Sequence, residues 1–261
     1  GQSLINMPSL AAGTFAITLA DGCEVDAAHR GVCGTGANGT SEIVIFGPTG
    51  LTTTIADTST FHIDLPWGLT WDSTNSQLIV ANNSSWHPGV SFYTTGGAFQ
   101  KTDPHNYFAN SQNPYMVPAN GAGLFAVAYT TAVSSDQVQI YTNAAGAGAP
   151  TPVFGPIPFN ATSDAGCTSY PYGSNAVVSG MTWLSNTRLL VALTSFNSGA
   201  TPQVGSVGGQ AVGMGLYIFD TATSQTPALW DDQTCTAVAA YPAQKAFQAF
   251  SFKPFATAFK P

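Results

Sequence analysis

Residues 65–82 read LPWGLTWD, then the turn STNS, then QLIVAN. Two short apolar runs joined by a few turn-forming residues are typical of a β-hairpin. Beyond a loop, residues 89–94 (GVSFYT) and 98–101 (AFQK) give two more runs, separated by a pair of glycines. The sequence therefore predicts four consecutive antiparallel strands, which we call a, b, c and d.

This four-strand pattern recurs along the chain, which is the signature of a repeat architecture. The a strands of two further copies lie at 113–117 (NPYMV) and 178–183 (VSGMTW), and GLTW at 68–71 is matched by GMTW at 180–183. The strands b, c and d of these two copies are predicted at 124–128, 138–141 and 152–154, and at 189–193, 216–219 and 228–230.

A fourth copy at the N-terminus has no visible a strand. Its strands b, c and d are predicted at 14–19, 42–46 and 51–55. The run 246–252 (AFQAFSF) is the candidate for the missing strand. A strand from one end of the chain that completes a sheet at the other would close a ring and cover exposed sheet edges.

Consecutive copies of this kind predict an all-β fold of β-propeller type, with four-stranded antiparallel blades in a single domain over residues 1–261. Four copies are visible, and irregular blades within 158–176 and 231–246 would raise the number to as many as six. The alternative is a β-sandwich, in which short alternating strands also recur.

The composition indicates an extracellular protein that binds neither nucleic acid nor membranes. Apolar residues make up 44% of the chain and charged residues only 7%, with a formal net charge of −7. The six basic residues are scattered, so no basic patch exists to bind nucleic acid or an anionic membrane surface. No apolar run approaches the roughly 20 residues that span a bilayer.

Cysteines and glycosylation motifs fit a secreted protein as well. The even number of cysteines predicts two disulfides, the alternative being free thiols. Of the three possible pairings, the natural one joins the short-range pair Cys23–Cys33 and leaves Cys167–Cys235. Asn-X-Ser/Thr motifs make four residues glycosylation candidates: Asn38, Asn82, Asn83 and Asn160.

The amino-acid sequence of the blade at 66–72 and 78–82 resembles those of the NHL and gluconolactonase-like (senescence-marker-protein) group of propellers. The resemblance implies a propeller and, for the enzymes of that group, calcium-dependent lactonase or esterase activity. Those enzymes hold Asn, Asp or Glu at the central channel, often just before the Gly-Leu of strand a. This sequence has Trp67, Tyr115 and Ser179 there instead. It departs from the family where the metal ligands should be, so no cofactor is predicted, with calcium as the alternative.

The connections between strands predict which face of the molecule is functional. In the order a-b-c-d, the b–c and d–a connections share one face, and the a–b and c–d connections share the other. The long predicted connections nearly all belong to the first face: 21–41, 102–112, 159–175, 197–213 and 231–245. We call it the long-loop face and its opposite the short-loop face. Functional residues concentrate on loops held by a rigid scaffold, so we expect the site on the long-loop face.

Six residues are the candidates for ligand binding. They are aromatic or histidine side chains of the long-loop face or of the channel mouth: Trp67, Trp86, His87, Tyr115, Tyr170 and Tyr172. Each of them also suits a plain packing role. Neither a nucleophile elbow nor a Walker phosphate loop occurs, and no catalytic residue is predicted. The primary prediction is a secreted, non-catalytic propeller whose long-loop face binds a small molecule, a glycan or a protein. A gluconolactonase-like, divalent-metal-dependent hydrolase is the alternative.

Overall fold

The computed structural model describes most of the first four fifths of the chain and short segments beyond. The described residues are 4–6, 13–19, 23–25, 31–33, 42–56, 63, 66–83, 87–130, 136–158, 176–196, 211–222 and 228–231. All regular elements among them are β-strands. The described part contains no helix long and apolar enough to span a membrane.

The strands follow the predicted order. In chain order they are β1 (Leu4–Asn6), β2 (Phe15–Leu19), β3 (Cys23–Val25), β4 (Gly31–Cys33), β5 (Glu42–Gly47), β6 (Gly50–Ala56), β7 (Pro66–Asp72), β8 (Gln77–Asn82), β9 (Gly89–Tyr93), β10 (Phe99–Thr102), β11 (Pro114–Met116), β12 (Leu124–Tyr129), β13 (Gln137–Thr142), β14 (Thr151–Pro158), β15 (Ala176–Trp183), β16 (Arg188–Phe196), β17 (Ala211–Asp220) and β18 (Ala228–Asp231).

Four four-stranded antiparallel sheets result, one for each predicted copy. Their strand orders are β1-β2-β5-β6, β7-β8-β9-β10, β11-β12-β13-β14 and β15-β16-β17-β18. The a-b-c-d order is confirmed in all four sheets. Because neighbouring strands are antiparallel, the b–c connections of each sheet lie at one end and the a–b and c–d connections lie at the other.

The first sheet corrects one expectation. Its a strand is present: β1 pairs with β2, with Leu4 opposite Ile17 and Asn6 opposite Phe15. The run Leu4–Asn6 is too short to display a period of two, so the sequence pattern missed it. The place beside β2 that was assigned to residues 246–252 is therefore filled by β1. Residues 246–252 themselves lie outside the described part, and their role in closing the ring stays a prediction.

Apolar clusters lie between successive sheets. One joins the first and second sheets, another the second and third, and another the third and fourth. In β8, Leu78 and Val80 face the first sheet, whereas Ile79 and Ala81 face the third. Burial on both faces explains why the b strands read as continuous apolar runs rather than as alternating ones.

The a strands, which are the inner strands of the sheets, lie side by side in neighbouring sheets. Strand β7 contacts β1 and β2 of the first sheet and β11 of the third. Sheets that follow chain order, pack face to face and bring their a strands together have the arrangement of propeller blades. The structure is therefore an all-β fold of β-propeller type, and the four sheets are its blades. The regions 159–175 and 232–246, where further blades were considered, are outside the described residues.

The fourth strand of every blade pairs irregularly. The pairings of β6 with β5, β10 with β9, β14 with β13 and β18 with β17 each contain a register shift. Bulges at an outer strand twist the edge and make pairing with another chain difficult. The repeat therefore has protection against edge-to-edge association in each of its four copies.

The first b–c connection contains a small hairpin of its own, β3 with β4. In it Cys23 lies directly opposite Cys33, the register that the predicted disulfide between them requires. The bond itself stays a prediction, and Cys167 and Cys235 lie outside the described residues. Of the glycosylation candidates, Asn38 and Asn160 also lie outside. Asn82 is buried and its Nδ2 donates to Ser91 Oγ at 3.3 Å, which favours Asn83 as the acceptor in these overlapping motifs.

Candidate functional site

Three of the four a strands carry a β-bulge at the same place. In the second blade Pro66 pairs with Asn82 and Gly68 with Ala81, so Trp67 is the extra residue. In the third, Pro114 pairs with Tyr129 and Met116 with Ala128, which leaves Tyr115 extra. The fourth blade repeats the arrangement at Ser179, between Val178 and Gly180. The three positions singled out by the family resemblance are therefore the three bulged ones. Bulges redirect side chains and are common beside functional sites.

Tyr115 is buried and bonds across two blades. Its hydroxyl contacts the carboxyl group of Asp136, which precedes β13, and lies 3.1 Å from the carbonyl oxygen of Val178 in β15. The Val178 N–H donates to Asp136 Oδ2 at 2.8 Å. Burial raises the pKa of Asp136 to about 7, although both hydrogen bonds lower it. Asp136 Oδ2 thus accepts from both the Tyr115 hydroxyl and the Val178 N–H.

The bulged positions do not fit a calcium site. Trp67 is half-buried and packs against the apolar cluster between the third and fourth blades. The only hydroxyl of Tyr115 is engaged by Asp136 and Val178. Calcium prefers several carboxylate, amide or carbonyl oxygens, which these side chains do not offer. Among the described residues no group of three His, Cys, Asp or Glu side chains is placed to hold a metal.

A groove opens on the long-loop face between the second and third blades. Its volume is about 320 Å³, at the lower end of the range of roughly 300–1,000 Å³ for small-molecule sites. Its lining comes from the end of the b–c connection 83–88 and from the d–a connection 103–113: Pro88, Tyr107, Phe108, Ser111, Gln112 and Asn113. Phe108 is 63% exposed at its rim.

The d–a connection that forms most of this groove is held by its own hydrogen bonds. The N–H groups of Asn110 and Gln112 both donate to Tyr107 O, at 3.2 and 2.9 Å, and Ser111 N–H donates to Phe108 O at 3.2 Å. Ser111 adopts a φ of 53°, in the left-handed region that non-glycine residues rarely occupy. Strain of this kind persists only where the surrounding structure fixes it. The groove wall is therefore preformed.

A buried polar and aromatic network lies beneath the groove. Tyr107 donates its hydroxyl to Asp103 Oδ2 at 2.7 Å, and Val90 N–H donates to Asp103 Oδ1 at 3.3 Å. Burial raises the pKa of Asp103 to about 7, against the opposing effect of these hydrogen bonds. The ring of His105 lies 4.3 Å from that of Tyr107, and its Nε2 is 2.6 Å from Gln112 Oε1. The network fastens the loop to the core and orients Gln112.

The predicted site residues fall in three different places. His87 is exposed beside Pro88, next to the groove, while Trp67 and Tyr115 lie deeper, on the inner strands. Trp86, Tyr170 and Tyr172 lie outside the described residues. Sequence reasoning identified the connection 102–112 as long but missed Tyr107, Phe108 and Gln112 within it. The sequence pattern could have identified them, since Tyr107 and Phe108 are adjacent aromatic residues in an otherwise polar loop.

The short-loop face has a groove too, of about 350 Å³, between the first and second blades. Its lining is rich in threonine: Thr14, Ile45, Gly47, Pro48, Thr49, Thr52, Thr53 and Thr95. The most exposed large apolar side chain among the described residues, Phe108, is on the opposite face.

No protein-family model matches the chain, and no curated protein matches it in sequence. Among solved structures, a nidogen/laminin complex matches at 11% identity with a TM-score of 0.41, over 83% of this chain and 61% of the other. Hydrazine synthase of Kuenenia stuttgartiensis matches at 11% and 0.43, over 83% and 59%. The C-terminal WD40 domain of Sif2 matches at 8% and 0.32, over 85% and 82%. The chain thus spans about three fifths of the first two.

Proposed function

We propose that this chain is a secreted, non-catalytic β-propeller that binds a ligand or partner through its long-loop face. The observation that supports this proposal most strongly is the preformed groove at 88 and 107–113, with an exposed Phe108 on a loop that hydrogen bonds hold in place. Exposed aromatic side chains on rigid loops are typical of binding surfaces, because little conformational freedom is lost when a ligand binds.

Secretion is supported by the low content of charged residues and by the register of β3 and β4. Cys23 opposite Cys33 allows a disulfide, which would persist only in an oxidising compartment. Mass spectrometry of unreduced peptides from the native protein tests this part. We expect Cys23 linked to Cys33 and Cys167 to Cys235, and four free thiols would contradict it.

The binding surface is tested by comparing substitutions on the two faces. The full chain is screened by thermal shift against soluble neutral and charged oligosaccharides and peptides. Each binder is then measured with a long-loop variant, in which Trp86, His87, Tyr170 and Tyr172 are changed to alanine. The control changes Leu51 and Leu184 to alanine as well; both are exposed and lie at the short-loop ends of β6 and β15. We expect weaker binding only in the first variant. Loss of binding only in the control would place the site on the short-loop face and contradict the proposal.

A gluconolactonase-like hydrolase with a divalent ion in the channel is the second proposal. Its support is positional only: the bulges at Trp67, Tyr115 and Ser179 fall at the inner-strand positions where enzymes of the resembled group hold their metal, although Trp67 and Tyr115 offer no calcium ligands. Metal analysis of the purified protein and its unfolding temperature with added calcium test it. A stoichiometric ion and a higher unfolding temperature would support the enzyme. No ion and no shift would reject it.

A further inference from the structure

We infer that the groove at Pro88 and 107–113 binds a ring of a neutral carbohydrate, with Phe108 as the stacking platform. This inference rests on the proposed function and names the ligand class at the long-loop face. It follows from the chemistry of the lining, from the position of Phe108 and from the fixed shape of the loop.

The groove lining is uncharged. It combines two apolar side chains, Pro88 and Phe108, with the hydroxyl and amide groups of Ser111, Gln112 and Asn113. The nearest carboxyl group of this loop, Asp103, is buried below and already accepts hydrogen bonds from Tyr107 and Val90. A phosphate or carboxylate ligand would need Lys or Arg in the lining, and a cation would need acidic groups. A neutral ligand needs neither.

Phe108 is held outward by its neighbour. Tyr107 is only 1% exposed and is anchored through its hydroxyl to Asp103, so the backbone at this point is fixed to the core. Phe108 follows directly and is 63% exposed. Exposure of a phenyl ring to water costs free energy, and a ligand that covers the ring recovers it.

The combination of an aromatic face and neutral polar groups matches a sugar ring. A pyranose presents C–H groups on one face, which pack against an aromatic ring, and hydroxyl groups around its edge, which bond to amides and hydroxyls. A wholly apolar ligand would use Phe108 but would make no hydrogen bonds with the hydroxyl and amide groups of the lining, which lose water when the ligand binds. The volume of about 320 Å³ suits a small ligand or one end of an oligosaccharide.

The polar part of the groove is ordered as well. His105 Nε2 at 2.6 Å from Gln112 Oε1 sets the direction of the Gln112 amide. The backbone of Asn113 is fixed on both sides, since its N–H donates to Thr130 Oγ1 at 3.1 Å and its carbonyl accepts from Thr130 N–H at 3.0 Å. A preformed set of donors and acceptors favours a ligand with a defined hydroxyl pattern.

The test measures binding of neutral hexose and N-acetylhexosamine oligosaccharides to the full chain, first on a glycan array and then by titration calorimetry. Phe108→Ala should weaken binding of the selected oligosaccharide by about tenfold or more, because the stacking face is lost. Phe108→Trp should retain the affinity within about threefold. The matched control is Phe99→Ala on β10, where the ring is 39% exposed and packs on Tyr93, away from the groove. It should change the affinity by less than about twofold.

Two results would overturn the inference. One is that no neutral oligosaccharide binds. The other is that one binds with the same affinity to Phe108→Ala as to the unmodified chain. If a peptide, a protein or a charged ligand instead binds and is weakened by Phe108→Ala, the carbohydrate inference fails while the binding role of the long-loop face stands. If an oligosaccharide binds but only the short-loop variant of Leu51 and Leu184 weakens it, the proposed function fails with it.

Discussion

At the scale of single residues, Gly68 shows how closely the inner strands approach. A Cβ atom placed on Gly68 would lie 2.9 Å from Tyr115 O, 3.1 Å from Val117 Cγ1 and 3.2 Å from Ala81 Cβ. The nearest of these is backbone of the next blade and cannot move aside easily. At the equivalent position in the fourth blade, Gly180, the nearest atom is Ala192 Cβ at 3.7 Å, an ordinary contact. The two glycines of the GLTW and GMTW repeats therefore have different roles.

We predict that Gly68→Ala destabilises the protein by about 1–3 kcal/mol, the usual cost of overpacking. Gly180→Ala is its matched control and should change the free energy of unfolding by less than about 1 kcal/mol in either direction. Urea denaturation of the two variants and the unmodified chain measures both. Equal effects of the two substitutions would contradict the close approach of β7 and β11.

The buried aspartates Asp103 and Asp136 predict an unusual pH dependence. Burial raises both pKa values to about 7, above the ordinary value of 3.8. In the unfolded chain these groups lose their protons near pH 4, whereas the folded protein retains them up to about pH 7. Between these limits the folded state binds more protons, so the contribution of both groups to stability falls as the pH rises through this window.

The substitution Asp136→Asn tests the direction of this pH dependence. With its oxygen in the place of Oδ2, the amide accepts from both Val178 N–H and the Tyr115 hydroxyl but cannot ionise. We expect the variant to be more stable than the unmodified chain at pH 8 and to show a smaller difference, or none, near pH 4. Denaturant unfolding at both pH values provides the measurement. A stability difference that does not change with pH would show that Asp136 is ionised to the same extent in the folded and unfolded protein.

At the scale of elements, the strands that sequence reasoning placed well are those buried on both faces. Runs such as Leu124–Tyr129 are apolar throughout, because Phe125 and Val127 face one neighbouring blade while Ala126 and Ala128 face the other. Short or irregular elements gave no such signal. Strand β1 has three residues, and the hairpin of β3 and β4 lies inside a connection that the sequence marks only by its two cysteines.

The candidate site was predictable only in part. The face and the long connection 102–112 followed from strand order and loop length. The groove did not, because it depends on Pro88 and Asn113, which are distant in sequence and meet only when two blades pack. The bulges at Trp67 and Tyr115 were also invisible, since a register shift has no signature in composition. Asp103 and Asp136 read as ordinary loop residues, although both are buried.

The a–b turns link the second blade to the third and the third blade to the fourth. Thr74 in the turn of the second blade donates its hydroxyl to Gly121 O in the turn of the third, at 3.0 Å. Asn120 in that turn donates its Nδ2 to Asn186 O in the turn of the fourth, at 2.7 Å. Asn120 Oδ1 also accepts the N–H groups of Ala122 and Leu124, at 2.8 and 2.9 Å. One buried side chain thus shapes its own turn and fastens the neighbouring blade.

We predict that Asn120→Ala lowers the free energy of unfolding by about 2–3 kcal/mol, because buried groups lose their hydrogen-bond partners. Thr74→Val is the control. It removes one exposed bond of the same series and should cost less than about 1 kcal/mol. Thermal and urea unfolding measure both variants. If Asn120→Ala costs no more than Thr74→Val, the turns do not couple the blades.

At the scale of the whole molecule, stability comes from contacts between successive blades. The apolar clusters lie between the first and second, second and third, and third and fourth sheets. In such an arrangement each blade depends on its neighbours, and the terminal blades are the exposed ends of the stack unless the ring closes. Closure by residues 246–252 is therefore a prediction with consequences for the entire chain.

We predict that deletion of residues 246–261 lowers the unfolding temperature of the whole protein and broadens the transition, because the segment that would join the last blade to the first is lost. Calorimetry of the shortened and full chains measures this effect. Fusion of the deleted segment to the N-terminus is a control that restores the segment by a different connection. A shortened chain with an unchanged transition would show that these residues do not close the ring.

Ligand binding at the long-loop face should leave a local mark on the backbone. Hydrogen–deuterium exchange of the full chain, with and without the oligosaccharide selected on the array, measures it. We expect slower exchange with ligand at 87–90 and 105–113, and unchanged exchange at the short-loop connections 118–123 and 143–150. Slower exchange confined to 118–123 and 143–150, or to the threonine-rich groove at 47–53, would contradict it.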